Sequence, residues 1–382
     1  MAQGLIILTD PQYEPKPWHS VMLFWGVILC GVLVNTFISS WLPKLEGMIL
    51  ILHILGFFAI LLPLVILGPH APPSQVFQLF INSGKWPTKE LSWFVGLLGN
   101  VYAFFGADGA IHMSEEIQNA ATVVPKAIVF SIVLNGVMGF GMALALLFCI
   151  GDIDAALHTK THFPFIEIFY QAVGSITGAA LMTSIIITLS LCATVGIVAS
   201  ASRQLWAFSR DRAVPGWGYI QRVNSKSAIP VLAVSLTVVT ACLLALIVLG
   251  SSTAFNDIVS LSVVGLFGSY FLVAVLLLWR RLRGDIKLYP SSENLLTNLP
   301  GAELVWGPWR VPGTFGIVTN GFAIVYLIII FFFSLWPPEN HPTAATMNYS
   351  SLMFGGTMLF SVLYYFFHAN KVYTGPVIEA NR

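Results

Sequence analysis

Residues 93–120 read WFVGLLGNVYAFFGADGAIHMSEEIQNA, an apolar run whose middle turns polar. At 1.5 Å per residue, Asp108 lies about 22 Å along a helix that begins at Trp93, well inside a hydrocarbon layer of about 30 Å. Gly106 and Gly109 flank this acid, and glycine allows a helix to unwind so that its backbone groups face a cavity. The stretch predicts a broken membrane helix with a midmembrane binding site, and a kinked helix with Asp108 bonded to a neighbour is the alternative.

The rest of the chain has the composition of a membrane protein. Of its 382 residues, 57% are hydrophobic and 9% are charged, whereas soluble domains carry about 25% charged residues. Because a helix satisfies its own backbone hydrogen bonds in lipid, this composition predicts an all-α integral membrane protein. We predict a single transmembrane domain over residues 1–382, with no soluble domain and about nine transmembrane helices. The predicted helices are Trp18–Trp41, Leu45–Leu67, Trp93–Ile117, Ala127–Ile150, Ala179–Ser202, Ile229–Leu249, Ile258–Trp279, Phe315–Trp336 and Leu352–Phe367.

Basic residues are distributed unevenly between the two sets of loops, and lysine and arginine favour the cytoplasmic side. One set holds only Lys16, Lys85, Lys89 and Lys160. The other set holds Lys44, Lys126, Arg203, Arg210, Arg212, Arg222, Lys226, Arg280, Arg281, Arg283, Lys287, Arg310, Lys371 and Arg382. We therefore predict a multi-pass protein with a cytoplasmic C-terminus and Met1 outside, which also places the glycosylation sequon Asn348-Tyr349-Ser350 outside but close to the membrane.

Aromatic and ionisable residues inside the spans are further candidate site residues. Tyr102, Phe104 and Phe105 precede the predicted break, where they could close over a ligand or hold an ammonium group by cation–π attraction, or simply pack. His53 stands alone near the middle of the second span. It is a candidate proton site, with a buried neutral histidine as the alternative.

Three ionisable residues follow the break at helical spacing. His112, Glu115 and Glu116 run toward the predicted cytoplasmic end, and His112 and Glu116 are predicted to share one helix face. They could relay protons or form an inner gate. A polar helix end at the membrane interface is the alternative.

Other functional classes find little support in the sequence. There is no phosphate loop, HExxH, dinucleotide fingerprint or nucleophile elbow, so we expect neither an enzyme nor a cofactor. The four cysteines lie in apolar runs, which disfavours a metal site, and a net charge of +1 gives no reason to expect a nucleic-acid partner. An ion channel would need rings of charge, whereas one span carries a midmembrane acid.

Two motifs resemble one transporter family. Residues 105–120, FGADGAIHMSEEIQNA, look like the sixth transmembrane helix of permeases in the amino acid-polyamine-organocation superfamily. Residues 201–215, ASRQLWAFSRDRAVP, resemble the cytoplasmic loop that follows the eighth helix of that family. The likeness is closest to the fungal choline and GABA permease branch.

The resemblance implies a LeuT-like helical bundle. The predicted spans of this chain would correspond to family helices four to twelve, so we expect an N-terminal truncation that removes helices one to three. It implies that Phe105, Gly106, Ala107, Asp108 and Gly109 form the substrate-facing stretch.

The expected function is that of a secondary active transporter of amino acids or related amines, namely GABA, choline or polyamines. Transport would proceed by alternating access and symport with protons, with sodium as the other coupling ion, and the bilayer is expected to be the plasma membrane or else the vacuolar membrane. The alternative is a receptor-like protein that does not transport, or a truncated remnant of a permease.

Overall fold

The computed structural model of the protein describes residues 1–38, 41–224, 229–250, 252–289, 303–344 and 346–375, with the backbone alone described for residues 252–260. Within these ranges the chain is helical, apart from connecting segments and one isolated parallel bridge between Lys287 and Val305. The all-α prediction is confirmed for this part of the chain.

The α-helices of the described ranges are α1 (Ala2–Thr9), α2 (Pro17–Phe37), α3 (Leu42–Leu67), α4 (Pro73–Gln78), α5 (Lys89–Val101), α6 (Gly109–His112), α7 (Ala120–Phe148), α8 (Ile153–Leu157), α9 (Pro164–Val173), α10 (Ile176–Arg210), α11 (Trp217–Ile220), α12 (Val231–Ala245), α13 (Ser252–Arg283), α14 (Gly313–Ser334) and α15 (Ser350–Phe367). Short 3₁₀ turns accompany them at Tyr102–Phe104, Ser114–Glu116, Leu246–Leu249 and Ala369–Lys371.

Eight helices in the described ranges are long and apolar enough to cross a membrane, against nine predicted spans. They are Pro17–Phe37, Leu42–Leu67, Ala120–Phe148, Ile176–Arg210, Val231–Leu249, Leu261–Arg283, Gly313–Ser334 and Ser350–Lys371. The remaining predicted span, Trp93–Ile117, is interrupted, because α5 ends at Val101 and only short helical pieces follow. The difference from the prediction therefore lies at the polar stretch that breaks this helix.

Local sequence explains where several helices begin and end. Thr88 precedes α5, and its side chain accepts a hydrogen bond from the Leu91 amide at 3.2 Å. Asp152 caps α8 in the same way through the Ala155 amide, at 3.1 Å. Gly174 ends α9 with φ of 60°, a left-handed conformation that glycine adopts without steric cost.

Large apolar side chains remain exposed along the candidate spans. Phe315 and Phe322 of α14 are 72 and 73% exposed, and Leu352 of α15 is 70% exposed. Such surfaces are unfavourable in water but are covered by lipid tails in a bilayer. The exposed apolar surface therefore agrees with an integral membrane protein.

The described residues form two compact units. The first consists of Met1–Ile81, Ser131–Trp206 and Tyr219–Gly250, and the second of Asn82–Phe130, Ala207–Gly218 and Ser251–Arg382.

The first unit is built around α3, α9 and α10. Leu64 of α3, Phe169 of α9 and Met182 of α10 are at most 4% exposed and belong to one apolar cluster. Gly56 of α3 lies close to α10, because a Cβ atom added there would stand 2.7 Å from Ile185 Cγ2. Close packing of this kind makes the helix contact sensitive to added volume.

The second unit is built around α5, α13 and α14. Val101, Val263 and Ile330, one from each helix, form its buried apolar cluster. The rings of Phe94 and Phe333 stack with their centroids 5.1 Å apart. This packing fixes the end of α5, and so fixes the point at which the interrupted segment begins.

Candidate functional site

The candidate site forms directly after α5, where the predicted span Trp93–Ile117 is interrupted. A 3₁₀ turn carries the chain to Phe104, and Phe105 is extended with φ of −69° and ψ of 136°. Gly106 follows with φ of 89°, a backbone conformation that residues other than glycine rarely adopt. Helical structure resumes at Gly109, so the helix is interrupted around Asp108, where the sequence predicted a break.

Two polar side chains lie close to Asp108. Its Oδ2 atom lies 3.1 Å from His112 Nε2, and the two side chains are 13 and 25% exposed. The Tyr270 hydroxyl of α13 lies near the same carboxylate and interacts with it electrostatically. The alternative interpretation of Asp108, a carboxylate bonded to a neighbouring residue, therefore also fits the structure.

Aromatic rings from the interrupted segment and from α13 form a series of contacts that ends at Tyr270, near this acid. The Tyr102 and Phe105 centroids are 5.8 Å apart, Phe105 and Phe267 are 6.4 Å apart, and Phe267 and Tyr270 are 6.0 Å apart. We call these four side chains the aromatic group. Phe104 lies in the same turn and is 49% exposed, but it is not part of this group.

The residues after the break do not form the predicted continuous helix. α6 ends at His112, Ser114–Glu116 form a 3₁₀ turn, and Ile117 is extended. The prediction that His112 and Glu116 share one helix face is therefore wrong. The pair of Asp108 and His112, at i and i+4, is compatible with a helix, but α6 ends at His112 and the turn that follows is held by the ion pair of Glu115.

That ion pair joins Glu115 to Arg210, the last residue of α10. Arg210 Nη2 lies 2.7 Å from Oε1 and Nη1 lies 3.1 Å from Oε2, so both guanidinium nitrogens bind one carboxylate. The Arg210 side chain is 20% exposed and that of Glu115 is 55% exposed. The pair connects residues 105–120 with residues 201–215, the two stretches that carry the family resemblance.

His53 lies elsewhere in the chain. It is half-buried on α3 in the first unit, whereas Asp108, His112 and Glu115 belong to the second unit. Its role as a proton site stays a prediction.

Two residues of the site could not be found by reading the sequence locally. Phe267 and Tyr270 of α13 contact the site, although they lie about 160 residues after Asp108. The signal for Tyr270 was a hydroxyl inside an apolar run, which is a weak signal because tyrosine is common in membrane helices.

Several known proteins are similar to this chain along most of its length. The chain is 26% identical to the choline transporter of Saccharomyces cerevisiae, over 96% of this chain and 62% of the transporter. It is 25% identical to the GABA-specific permease of the same yeast, over 98% of this chain and 64% of the permease. An amino-acid permease of Arabidopsis thaliana is 29% identical, over 96% of this chain and 69% of its own length.

The chain thus spans between 62 and 69% of the length of these three relatives. All three are named as transporters or permeases, not as enzymes. Residues 1–359 match the amino acid permease family, which covers most of the chain, and the protein therefore belongs to that family.

Proposed function

We propose that this chain acts as a secondary active transporter of amino acids or related amines by alternating access. The observation that carries the proposal is the carboxylate of Asp108 at a helix break, next to four aromatic rings. The names of the relatives, which include a choline transporter and a GABA-specific permease, support GABA, choline and polyamines as candidate substrates.

Two features of the site favour a cationic ligand group. The Asp108 carboxylate offers oxygens to an ammonium group. The aromatic group adds cation–π attraction of about 0.5 to 2 kcal/mol. Both terms favour an ammonium group, which is the chemical feature that all the proposed substrates share.

Proton coupling is the second part of the proposal. Asp108 and His112 share a hydrogen bond, and a proton taken up by Asp108 would remove the negative charge that holds an ammonium group. Substrate release and protonation would then favour each other. Sodium is the alternative coupling ion.

The ion pair of Glu115 and Arg210 is proposed as an inner gate. Because Glu115 is half exposed, solvent weakens the pair to about 1 kcal/mol or less. A bond of that strength holds a closed state but can break during each transport cycle. Glu116, on the same 3₁₀ turn, would line the exit.

The orientation remains part of the proposal. The excess of lysine and arginine on one set of loops supports a cytoplasmic C-terminus. We propose the plasma membrane as the location, with the vacuolar membrane as the alternative.

The test is uptake of labelled choline, GABA, lysine and spermidine by permease-deficient yeast that expresses the chain. Asp108→Asn should reduce uptake about tenfold to hundredfold, since a hydrogen bond to a charged group contributes about 1.5 to 3 kcal/mol. Asp152→Asn is the matched control, because that exposed acid caps α8 and asparagine caps helices equally well. Equal uptake by Asp108→Asn at equal surface expression would refute the proposed role.

The same experiment separates transport from binding alone. The chain is also expressed behind three transmembrane helices of a full-length permease, and ligand binding to the purified forms is measured beside uptake. Uptake by either form supports a transporter, whereas ligand binding without uptake by both forms supports the receptor-like alternative.

A further inference from the structure

Two joined cavities lie where α13 ends and α14 begins. The first has a volume of 240 Å³ and is lined by Arg280, Arg281, Trp306 and the first residue of α14, Gly313. The second has a volume of 480 Å³ and is mostly apolar. The two share Arg280, Ile286 and Trp306 as lining residues, so a polar cavity continues directly into an apolar cleft.

Arg281 is held in the polar cavity by its surroundings. Its Nη1 atom donates to the Val311 carbonyl at 2.9 Å, and its guanidinium carbon lies 4.4 Å from the centroid of the Trp306 ring. A Cβ atom at Gly316 would clash with the guanidinium group, so only glycine there lets Arg281 lie against α14. The Arg281 Nε atom is buried and has no hydrogen-bond partner among the described residues.

Like charges are brought together around one indole ring. Arg310 lies 6.0 Å from the same Trp306 ring that Arg281 contacts, so the two guanidinium groups repel each other. Asp285 and Glu303 are paired with other cations of the region, Arg280 at 2.9 Å and Lys287 at 2.6 Å. An anion between Arg281 and Arg310 would relieve a repulsion that these two acids do not relieve.

The apolar cleft offers hydrophobic surface next to these charges. Val273 and Leu276 of α13 line it and are 65 and 58% exposed, which leaves open apolar surface beside a cationic pocket. The candidate span of α13 ends at Arg283, so the cavities lie at the depth of the lipid headgroups. Trp279 and Trp306 are side chains of the type that prefers this layer.

We propose that the two cavities bind one anionic phospholipid. Its phosphate would lie in the first cavity beside Arg281, near the Trp306 ring that Arg310 also approaches, and one acyl chain would follow the cleft beside Val273 and Leu276. The ligand must be an amphiphile, because a soluble phosphate would use the first cavity and leave the second empty. The excess of basic residues on these loops also matches the leaflet in which anionic lipids concentrate.

Native mass spectrometry of the full chain in detergent tests the proposal, by titration with dioleoylphosphatidylserine or dioleoylphosphatidylcholine. The anionic lipid should bind at least about fivefold more tightly. Arg310→Gln should weaken its binding about fivefold, since one basic residue near a membrane surface contributes about 1 kcal/mol. Arg222→Gln is the matched control, because Arg222 also lies over an aromatic ring, Tyr219 at 5.1 Å, but in the first unit.

A second variant tests the acyl-chain cleft. Leu276→Trp fills the cleft and should weaken lipid binding while the thermal midpoint in detergent shows that the protein is folded. Inorganic phosphate at millimolar concentration should not displace the lipid. Unchanged binding by Arg310→Gln, equal binding of the two lipids, or displacement by phosphate would each overturn the proposal, and the last would indicate a soluble anion.

Discussion

Asn348 connects the end of α14 to the start of α15, and replacing it should destabilise the protein. Its Nδ2 atom donates to the Ser334 and Trp336 carbonyls, each at 2.9 Å. Its Oδ1 atom accepts from the Ser350 amide at 3.0 Å and from the Ser350 hydroxyl. The side chain thus supplies groups that the backbone cannot supply where one helix ends and the next begins.

The cost of Asn348→Ala follows from these contacts. Asn348 is 7% exposed, so water does not readily replace the lost bonds. At about 0.5 to 1.5 kcal/mol for each of the three bonds to backbone groups, the free energy of unfolding should fall by about 2 to 4 kcal/mol. Asn348→Asp should cost at least as much, because a carboxylate oxygen would then face two carbonyl oxygens.

The measurement is the thermal midpoint of the purified protein in detergent. Asn340→Ala is the matched control, because Asn340 lies in the same connection and its side chain bonds only to the neighbouring exposed His341 among the described residues. The control should leave the midpoint unchanged. If Asn348→Ala melts at the temperature of the control, the connection does not depend on these hydrogen bonds and the reasoning is wrong.

Three further predictions follow from other contacts. Gly56→Val should lower stability by about 1 to 3 kcal/mol, measured by melting in detergent, because added volume meets α10. Glu115→Arg and Arg210→Glu should each reduce uptake, and the double variant should recover part of it; additive losses would exclude a working ion pair. Pro342→Thr turns residues 340–342 into a sequon in the connection between α14 and α15. Glycosidase treatment should then shift the variant but not the wild type, whose only sequon asparagine, Asn348, is buried. No shift would contradict the predicted orientation.

Hydropathy located the membrane helices well but not their ends. α10 continues eight residues beyond the predicted Ser202, to Arg210, and α7 begins at Ala120 instead of Ala127. Both extensions carry polar or basic residues and leave the apolar run. A helix can continue into the headgroup layer or water, where hydropathy gives no signal for its end.

The break was predictable because its cause is local. Two glycines beside an acid in an apolar run weaken a helix whatever surrounds it, and Gly106 indeed adopts a conformation that glycine favours. The course of the chain after the break was not predictable from spacing. The pair of His112 and Asp108 is local, at i and i+4, but Glu115 pairs with Arg210, and that choice depends on which side chain another helix brings nearby.

The sequence by itself determined the lipid environment, the helical class, the interrupted segment and the family. The lipid environment and the helical class follow from composition, because a chain in lipid must satisfy its backbone hydrogen bonds within single helices. The interrupted segment follows from two glycines beside an acid, and the family from the resemblance of two motifs. Only the tertiary structure decided the partners of the site, namely Phe267 and Tyr270 beside Asp108 and Arg210 beside Glu115. Those contacts arise from side-chain packing between helices that are distant along the chain. The spacing of apolar residues in one helix does not indicate which other helix will pack against it.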